Sequence, residues 1–194
     1  MRVIAGSLKG RRLKAPTWPD LRPTSDKLRE TLFNVLASRI RGARVLDVYA
    51  GTGAVGIEAL SRGARSVTFI EADRRAERLI VANLATCGLK NGYAIIRSDA
   101  TRALEQLAEH SPLEPFDVVL LDPPYAPARR ASLTALLATA GRLVAATGVV
   151  ALEHSRRQTT PAATGPLVRT RSVGSGDSVL TFYERQREVE EGTR

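Results

Sequence analysis

Two short stretches hold the residues best suited by type and spacing to chemistry. The first is Gly51-Thr52-Gly53-Ala54-Val55-Gly56, a G-x-G-x-x-G run, with Glu71 standing 20 positions after Gly51. Glycines so spaced let a backbone approach a ligand closely, and an acid at that distance can accept the hydroxyls of a ribose. Asp47 precedes the turn in the pattern D-x-Y-A-G-T-G. A carboxylate there would repel a pyrophosphate but could hold the ammonium group of a methionine moiety. Asp99 closes a later strand-like run, where it can accept from an adenine amino group or cap the following helix. These acids favour S-adenosylmethionine over NAD, and nothing supplies the proton-relay His and substrate-binding Arg of a dehydrogenase.

The second stretch is Asp122-Pro123-Pro124-Tyr125, directly after the apolar run Val118-Val119-Leu120-Leu121. Two prolines stiffen the loop and remove two N–H donors, leaving carbonyls as acceptors. The Asp122 carboxylate and the Pro123 carbonyl can together grip both hydrogens of an exocyclic NH₂, turning the nitrogen lone pair toward an electrophile. Tyr125 offers a flat face for a base taken out of its stack. Amine attack on a sulfonium methyl needs positioning more than a strong base. The two motifs together indicate an amino methyltransferase, with adenine N6, guanine N2, cytosine N4 and glutamine nitrogen all open.

Such motifs must sit at the carboxyl ends of strands, and the rest of the chain provides them. Strand-like runs over 44–50, 66–71, 93–99, 116–122 and 148–155 alternate with helical segments over 53–63, 74–87, 100–109 and 130–140. The runs are apolar at nearly every position, as parallel strands covered on both faces are. The fold class is therefore α/β, a doubly wound, mostly parallel, seven-stranded sheet of Rossmann-like type. Two further runs joined by Gly174-Ser175-Gly176-Asp177 predict a C-terminal antiparallel hairpin, with that segment a turn and not a phosphate loop. Residues 3–15 predict a small N-terminal β-hairpin, and Ser25 or Thr24 can cap a helix over 26–40. The expected organisation is an arm and connector over 1–24, a catalytic domain over 25–185 and a frayed tail over 186–194.

Composition narrows the setting. The 194 residues carry a net charge of +9. Residues 1–44 hold 11 basic and 3 acidic side chains (+8), and residues 45–194 hold 18 and 17 (+1). The excess thus forms an arm suited to a polyanion in front of a near-neutral body. The chain has no apolar run long enough to span a bilayer, and Cys87, His110 and His154 make no metal-ligand set. The expectation is a cytoplasmic monomer without metal or membrane. Cys87 is expected in the core, Trp18 packing the connector down, and His154 in a partly exposed loop.

Residues Arg2 to Gly6 with Gly10-Arg11, Arg22 to Glu30, Leu32-Phe33-Asn34, Asp47 to Ala64, Glu71, Asn83 and D-P-P-Y resemble one family closely. It is the bacterial 16S (small-subunit) ribosomal RNA guanine-N2 methyltransferases, and the likeness runs over about residues 1–185. Class I methyltransferases share this layout of acids at successive strand ends. The resemblance implies that Asp47, Tyr49, Gly51 and Gly53 surround methionine, Glu71 the ribose and Asp99 the adenine. Asp122, Pro123, Pro124 and Tyr125 would be catalytic. Lys9, Arg11, Arg12 and Lys14 would contact RNA phosphates, and Arg22, Thr24 and Arg29 would wall the active site. The implied partner is 16S rRNA in a small subunit or its assembly intermediate. An adenine-N6 methyltransferase of DNA or RNA and a non-catalytic RNA-binding assembly factor are the alternatives.

Overall fold

Five apolar runs become the parallel core of one sheet, and the loops at their carboxyl ends become the site. The structure, a computed structural model, describes residues 1–18, 24–109, 114–124 and 132–186. In chain order it forms α1 (Asp26–Val35), α2 (Ala37–Ile40), β1 (Arg44–Val48), α3 (Ala54–Ser61), β2 (Ser66–Glu71), α4 (Arg74–Thr86) and β3 (Tyr93–Arg97). There follow α5 (Ala100–Glu109), β4 (Phe116–Leu121), α6 (Leu133–Leu143), β5 (Val144–Ser155), β6 (Ala163–Thr164), β7 (Leu167–Ser175) and β8 (Ser178–Arg185). The strand order is β3-β2-β1-β4-β5-β8-β7-β6. The first five strands pair in parallel, and β8, β7 and β6 add on antiparallel. The order reverses between β1 and β4, which is where open α/β sheets bind ligands.

Each face of the sheet carries its own apolar layer. Val45, Val118, Leu120, Ala151 and Phe182 pack with Leu28, Leu32 and Phe33 of α1 and Ile57 of α3. Leu46, Val119, Val150 and Leu152 pack with Leu104 of α5 and Leu136 and Leu137 of α6. Among the described residues no helix is long and apolar enough to cross a membrane.

Four sequence expectations need correction. The sheet has eight strands, because the two-residue β6 pairs with the start of β7. The helix over 26–40 breaks at Leu36, which has φ −86° and ψ 3°. The N-terminal hairpin is shorter than expected, residues 1–3 pairing with 10–13 through the bridge Arg2↔Arg12 and three backbone bonds. Its amides explain why: Ile4 and Ala5 donate to the Glu58 carboxylate at 2.7 and 2.9 Å instead of to a facing strand. Ser7 donates its amide to the Ser61 carbonyl, and Leu8 donates to Ser61 Oγ. His154 lies on β5, not in a loop, and is buried. Its ring nitrogens bond Thr181 Oγ1 and the Ser155 carbonyl, each at 2.9 Å. Burial depresses its pKa, and strand alternation turns it away from the face that Ala151 shares with the α1 layer.

Candidate active site

The glycine turn is built by backbone that only glycine adopts freely. Gly51 and Gly53 have φ of 55° and 75°, and Gly53 caps α3. A side chain at Gly56 would run into the Phe69 ring, so the third glycine seats α3 against β2. Tyr49 also sits at φ 63°, in the left-handed region that costs a non-glycine residue strain. The Tyr49 phenol is pushed up to about 12 by burial and by the negative charge of Asp99. Asp99 itself caps α5 through the Thr101 amide at 2.9 Å, with its side chain exposed.

Glu71 does more than end a strand. Its Oε2 accepts the Gly51 amide and its Oε1 the Asp73 amide, both at 2.8 Å. Each oxygen keeps a lone pair for a ligand hydroxyl. Asp47 is 4% exposed, and its Oδ2 accepts the Gly56 amide at 2.9 Å. Burial pushes its carboxyl up to about 7, the Glu71 charge adding and the Gly56 amide opposing. Among the described residues no cation pairs with Asp47. A buried carboxyl without a cation, beside a glycine turn held open by a second acid, fits the ammonium and ribose of S-adenosylmethionine.

Asp122 follows β4 as Tyr49 follows β1, and its amide donates to the Val48 carbonyl at 3.4 Å. Asp47, Asp122 and Glu153 line one cavity of about 30 Å³, walled by Thr24, Leu28, Leu32, Val55 and Leu180. The Thr24 hydroxyl donates to Asp122 Oδ2 at 3.5 Å. Burial first, then the charges of Glu153 and Asp47, raise the Asp122 pKa well above the carboxylate range, with the Thr24 bond opposing. Pro123 is buried and Pro124 exposed. Tyr125 and Arg22 lie outside the described residues. The structure thus gathers Asp47, Asp122 and Thr24 at one cavity, and Gly51 with Glu71 beside it.

The arm lies on the body through its backbone, leaving Lys9, Arg11, Arg12 and Lys14 exposed. Asn83 is fully buried. Its Oδ1 accepts the Lys14 amide at 2.7 Å, while its Nδ2 donates to the Lys14 carbonyl and to the Thr52 carbonyl of the glycine turn. The Arg75 guanidinium covers the Trp18 ring at 4.9 Å, so the connector packs on α4.

Arg29 corrects the expected site wall. It is 0% exposed, and its Nη2 donates to the Arg2 carbonyl at 2.6 Å and to Asp26 Oδ1 at 2.9 Å. Its Nε lies 3.8 Å from Glu58 Oε2. It props the arm against α1 and α3 and presents nothing to RNA. Its signal was visible: Arg29 precedes Leu32, Phe33 and Leu36 by three, four and seven residues, placing it on the buried stripe of α1. Sequence reasoning also passed over Glu58, Ser61 and Glu153, whose partners lie far away in the chain.

The family described as Conserved hypothetical protein 95 matches residues 1–184. The Bacillus subtilis protein YlbH, whose name carries an rRNA methyltransferase assignment, is 37% identical over 186 residues, 96% of this chain and all of that one. Ribosomal RNA small subunit methyltransferase D of Escherichia coli K12 is 46% identical over 126 residues, 64% of this chain and 60% of that protein. A solved Escherichia coli structure named as a methyltransferase candidate, yhhF, superposes with a TM-score of 0.81 at 33% identity, covering 96% of this chain and 98% of that one.

Proposed function

Because the chain belongs to the family described as Conserved hypothetical protein 95, we propose that it transfers the methyl group of S-adenosylmethionine to the exocyclic N2 of a guanine in 16S rRNA. The observation that carries this reading is that Asp47 of β1 and Asp122, directly after the neighbouring β4, line one cavity. One acid can hold the methyl donor's ammonium while the other holds the amine that receives the methyl. The name of the small-subunit ribosomal RNA methyltransferase relative supports 16S rRNA as the polyanion that meets the arm.

When bound, the cofactor would supply a sulfonium methyl that an amine can take in line, the C–S bond breaking and the thioether leaving. Asp47 would take its ammonium, Glu71 its ribose hydroxyls and Asp99 its adenine, with Tyr49, Gly51 and Gly53 shaping the pocket. Asp122 and the Pro123 carbonyl accept the two amine hydrogens, which fixes the direction of the nitrogen lone pair. Asp122 is then the nearest acceptor for the proton the nitrogen must lose. A cation beside Asp47 would cancel one of the charges that raise the Asp122 pKa, which favours the carboxylate form of the acceptor. Tyr125 is assigned the stacking face and Arg22 a place in the wall. Thr24, already bonded to Asp122, forms part of that wall. Lys9, Arg11, Arg12 and Lys14 reach phosphates of a small subunit or its assembly intermediate, in the cytoplasm, with the enzyme a monomer. Residues 1–24 act as the docked arm and 25–185 as the catalytic domain.

The test is labelled methyl transfer to small subunits from a strain lacking the gene, followed by mass analysis of the nucleosides. N2-methylguanosine is expected. N6-methyladenosine would move the assignment to adenine, and no transfer would leave a binding protein.

A further inference from the structure

Helix α1 has a hollow on each side. Leu28 and Leu32 wall the Asp122 cavity, whereas Asp26, Lys27 and Glu30 line a larger hollow of about 320 Å³ between the helix and the arm. Residues two apart on a helix lie about 200° apart around it, so Asp26 and Glu30 face away from Leu28 and Leu32. The two hollows are thus separated by about one helix width, roughly 10 Å. The Asp122 cavity has room for about one water, but the larger hollow falls in the size range of small-ligand pockets.

Three cations from separate segments meet at this hollow: Arg2 and Lys9 of the arm and Lys27 of α1. All three are exposed, and among the described residues none of their side chains has an ion-pair or hydrogen-bond partner. Two acids share the space. Asp26 is taken by Arg29 Nη2 at 2.9 Å, while the exposed Glu30 carboxylate has no partner among the described residues. The arm wall is already fixed by its backbone. The Arg2 carbonyl accepts from Arg29, the Gly10 amide donates to the Val3 carbonyl at 2.9 Å, and the Ile4 amide donates to Glu58.

A bare anion offers acceptors only, and an uncommitted carboxylate among the cations would repel it. A ribonucleotide offers both kinds of group: a phosphate for the cations and a 2′-hydroxyl that can donate to the carboxylate. Half-buried Ile4 adds apolar surface for a sugar or base face. We infer that this hollow is a second nucleotide subsite, holding a ribonucleotide that flanks the target guanine. Its phosphate lies on Arg2, Lys9 and Lys27 and its 2′-hydroxyl on Glu30. The assignment rests on the rRNA-methyltransferase reading, which places the target base on the other side of α1.

Two measurements test it. In binding to small subunits from a strain lacking the gene, Lys27→Ser should reduce the salt slope by about 0.8 and weaken affinity about twofold to fivefold. Lys90→Ser, which removes an exposed cation just before β3, should change neither. S-adenosylhomocysteine affinity should stay unchanged in every variant, marking an intact fold. Titration with cytidine 5′-monophosphate, followed by amide NMR, should shift the Ile4, Gly10 and Lys27 signals. Wild type should hold that nucleotide about twofold to tenfold more tightly than its 2′-deoxy form, the range of one hydrogen bond, and Glu30→Ala should erase the difference. A difference that survives Glu30→Ala overturns the part given to Glu30. Inorganic phosphate binding as tightly as the nucleotide, or a Lys27→Ser slope equal to wild type, overturns the subsite while N2-methylguanosine still forms. Absence of methyl transfer by wild type overturns the function and this assignment together.

Discussion

The substitution Glu58→Gln is the sharpest test of how the arm is held. Glu58 is fully buried, and its carboxylate accepts the Ile4 and Ala5 amides and the Arg62 Nε at 2.7 Å. It also stands 3.8 Å from the buried Arg29 guanidinium, whose Nε and Nη1 have no hydrogen-bond partner among the described residues. Glutamine keeps the volume but removes the charge and turns one acceptor into a donor facing donors. Arg29 keeps Asp26 at 2.9 Å, so the substitution removes its buried counter-charge and leaves the half-exposed one, which puts the cost at about 3 kcal/mol, the low end for breaking a buried pair. In a protein of this size each kcal/mol lowers Tm by roughly 2–4 °C, so the drop should be about 6–12 °C. Amide exchange gives the local view: the Ile4 and Ala5 amides should lose protection while β1 and β4 amides keep theirs. A Tm within about 3 °C of wild type, with Ile4 and Ala5 still protected, would refute the account of Glu58 as the arm's anchor.

Four other outcomes are expected. Asp122→Ala should abolish methyl transfer and leave S-adenosylhomocysteine affinity nearly intact, and retained transfer would remove Asp122 from the amine. Glu71→Ala should weaken cofactor binding by about 1–3 kcal/mol through unpaired hydroxyls, and it should also loosen the Gly51 amide, readable by exchange. Asp47 is raised to about 7 in the free protein from an ordinary 3.8. Its contribution to stability is therefore fully present below about pH 4 and lost as pH rises through 7. Cofactor affinity should run the other way, falling up to about tenfold per pH unit below 7 because a cation needs the ionised acid. Titration calorimetry in two buffers should find protons released at pH 6, and a flat profile from pH 5.5 to 8 would sink the Asp47 assignment. If Lys9, Arg11, Arg12 and Lys14 meet phosphates, log affinity for subunits should fall against log salt with a slope of roughly −3, and replacing all four with Ser should flatten it.

What could be read from the sequence follows a physical line. β2 and α5 match their expected spans, because buried parallel strands and amphipathic helices leave dense, periodic apolar patterns. The break at Leu36 left none. No Gly or Pro marks it, and both Leu36 and Ile40 are buried on either side of it, so packing decides it. The two-residue β6 is too short for any period. The site acids were legible because each lies at or near the carboxyl end of a strand of a recognisable fold. Their second duties were not: the Gly51–Glu71 and Gly56–Asp47 bonds join residues whose contact depends on the finished turn.

The basic excess shows the same division most clearly. Composition counts cations but cannot say which ones the fold consumes. Arg29 spends its charge inside, against Asp26 and Glu58, and Arg62 spends part of its own on Glu58. Meanwhile Glu58, Ser61 and Asn83 hold the arm by its backbone at positions 4, 5, 7, 8 and 14. Anchoring by main chain leaves the side chains of Lys9, Arg11, Arg12 and Lys14 outward, on a segment already ordered. A tail free in solution would lose that conformational freedom on meeting a polyanion, at a cost in affinity. This arm has lost it on folding, so under the proposed function the buried acid of α3 would spare the exposed cations that cost.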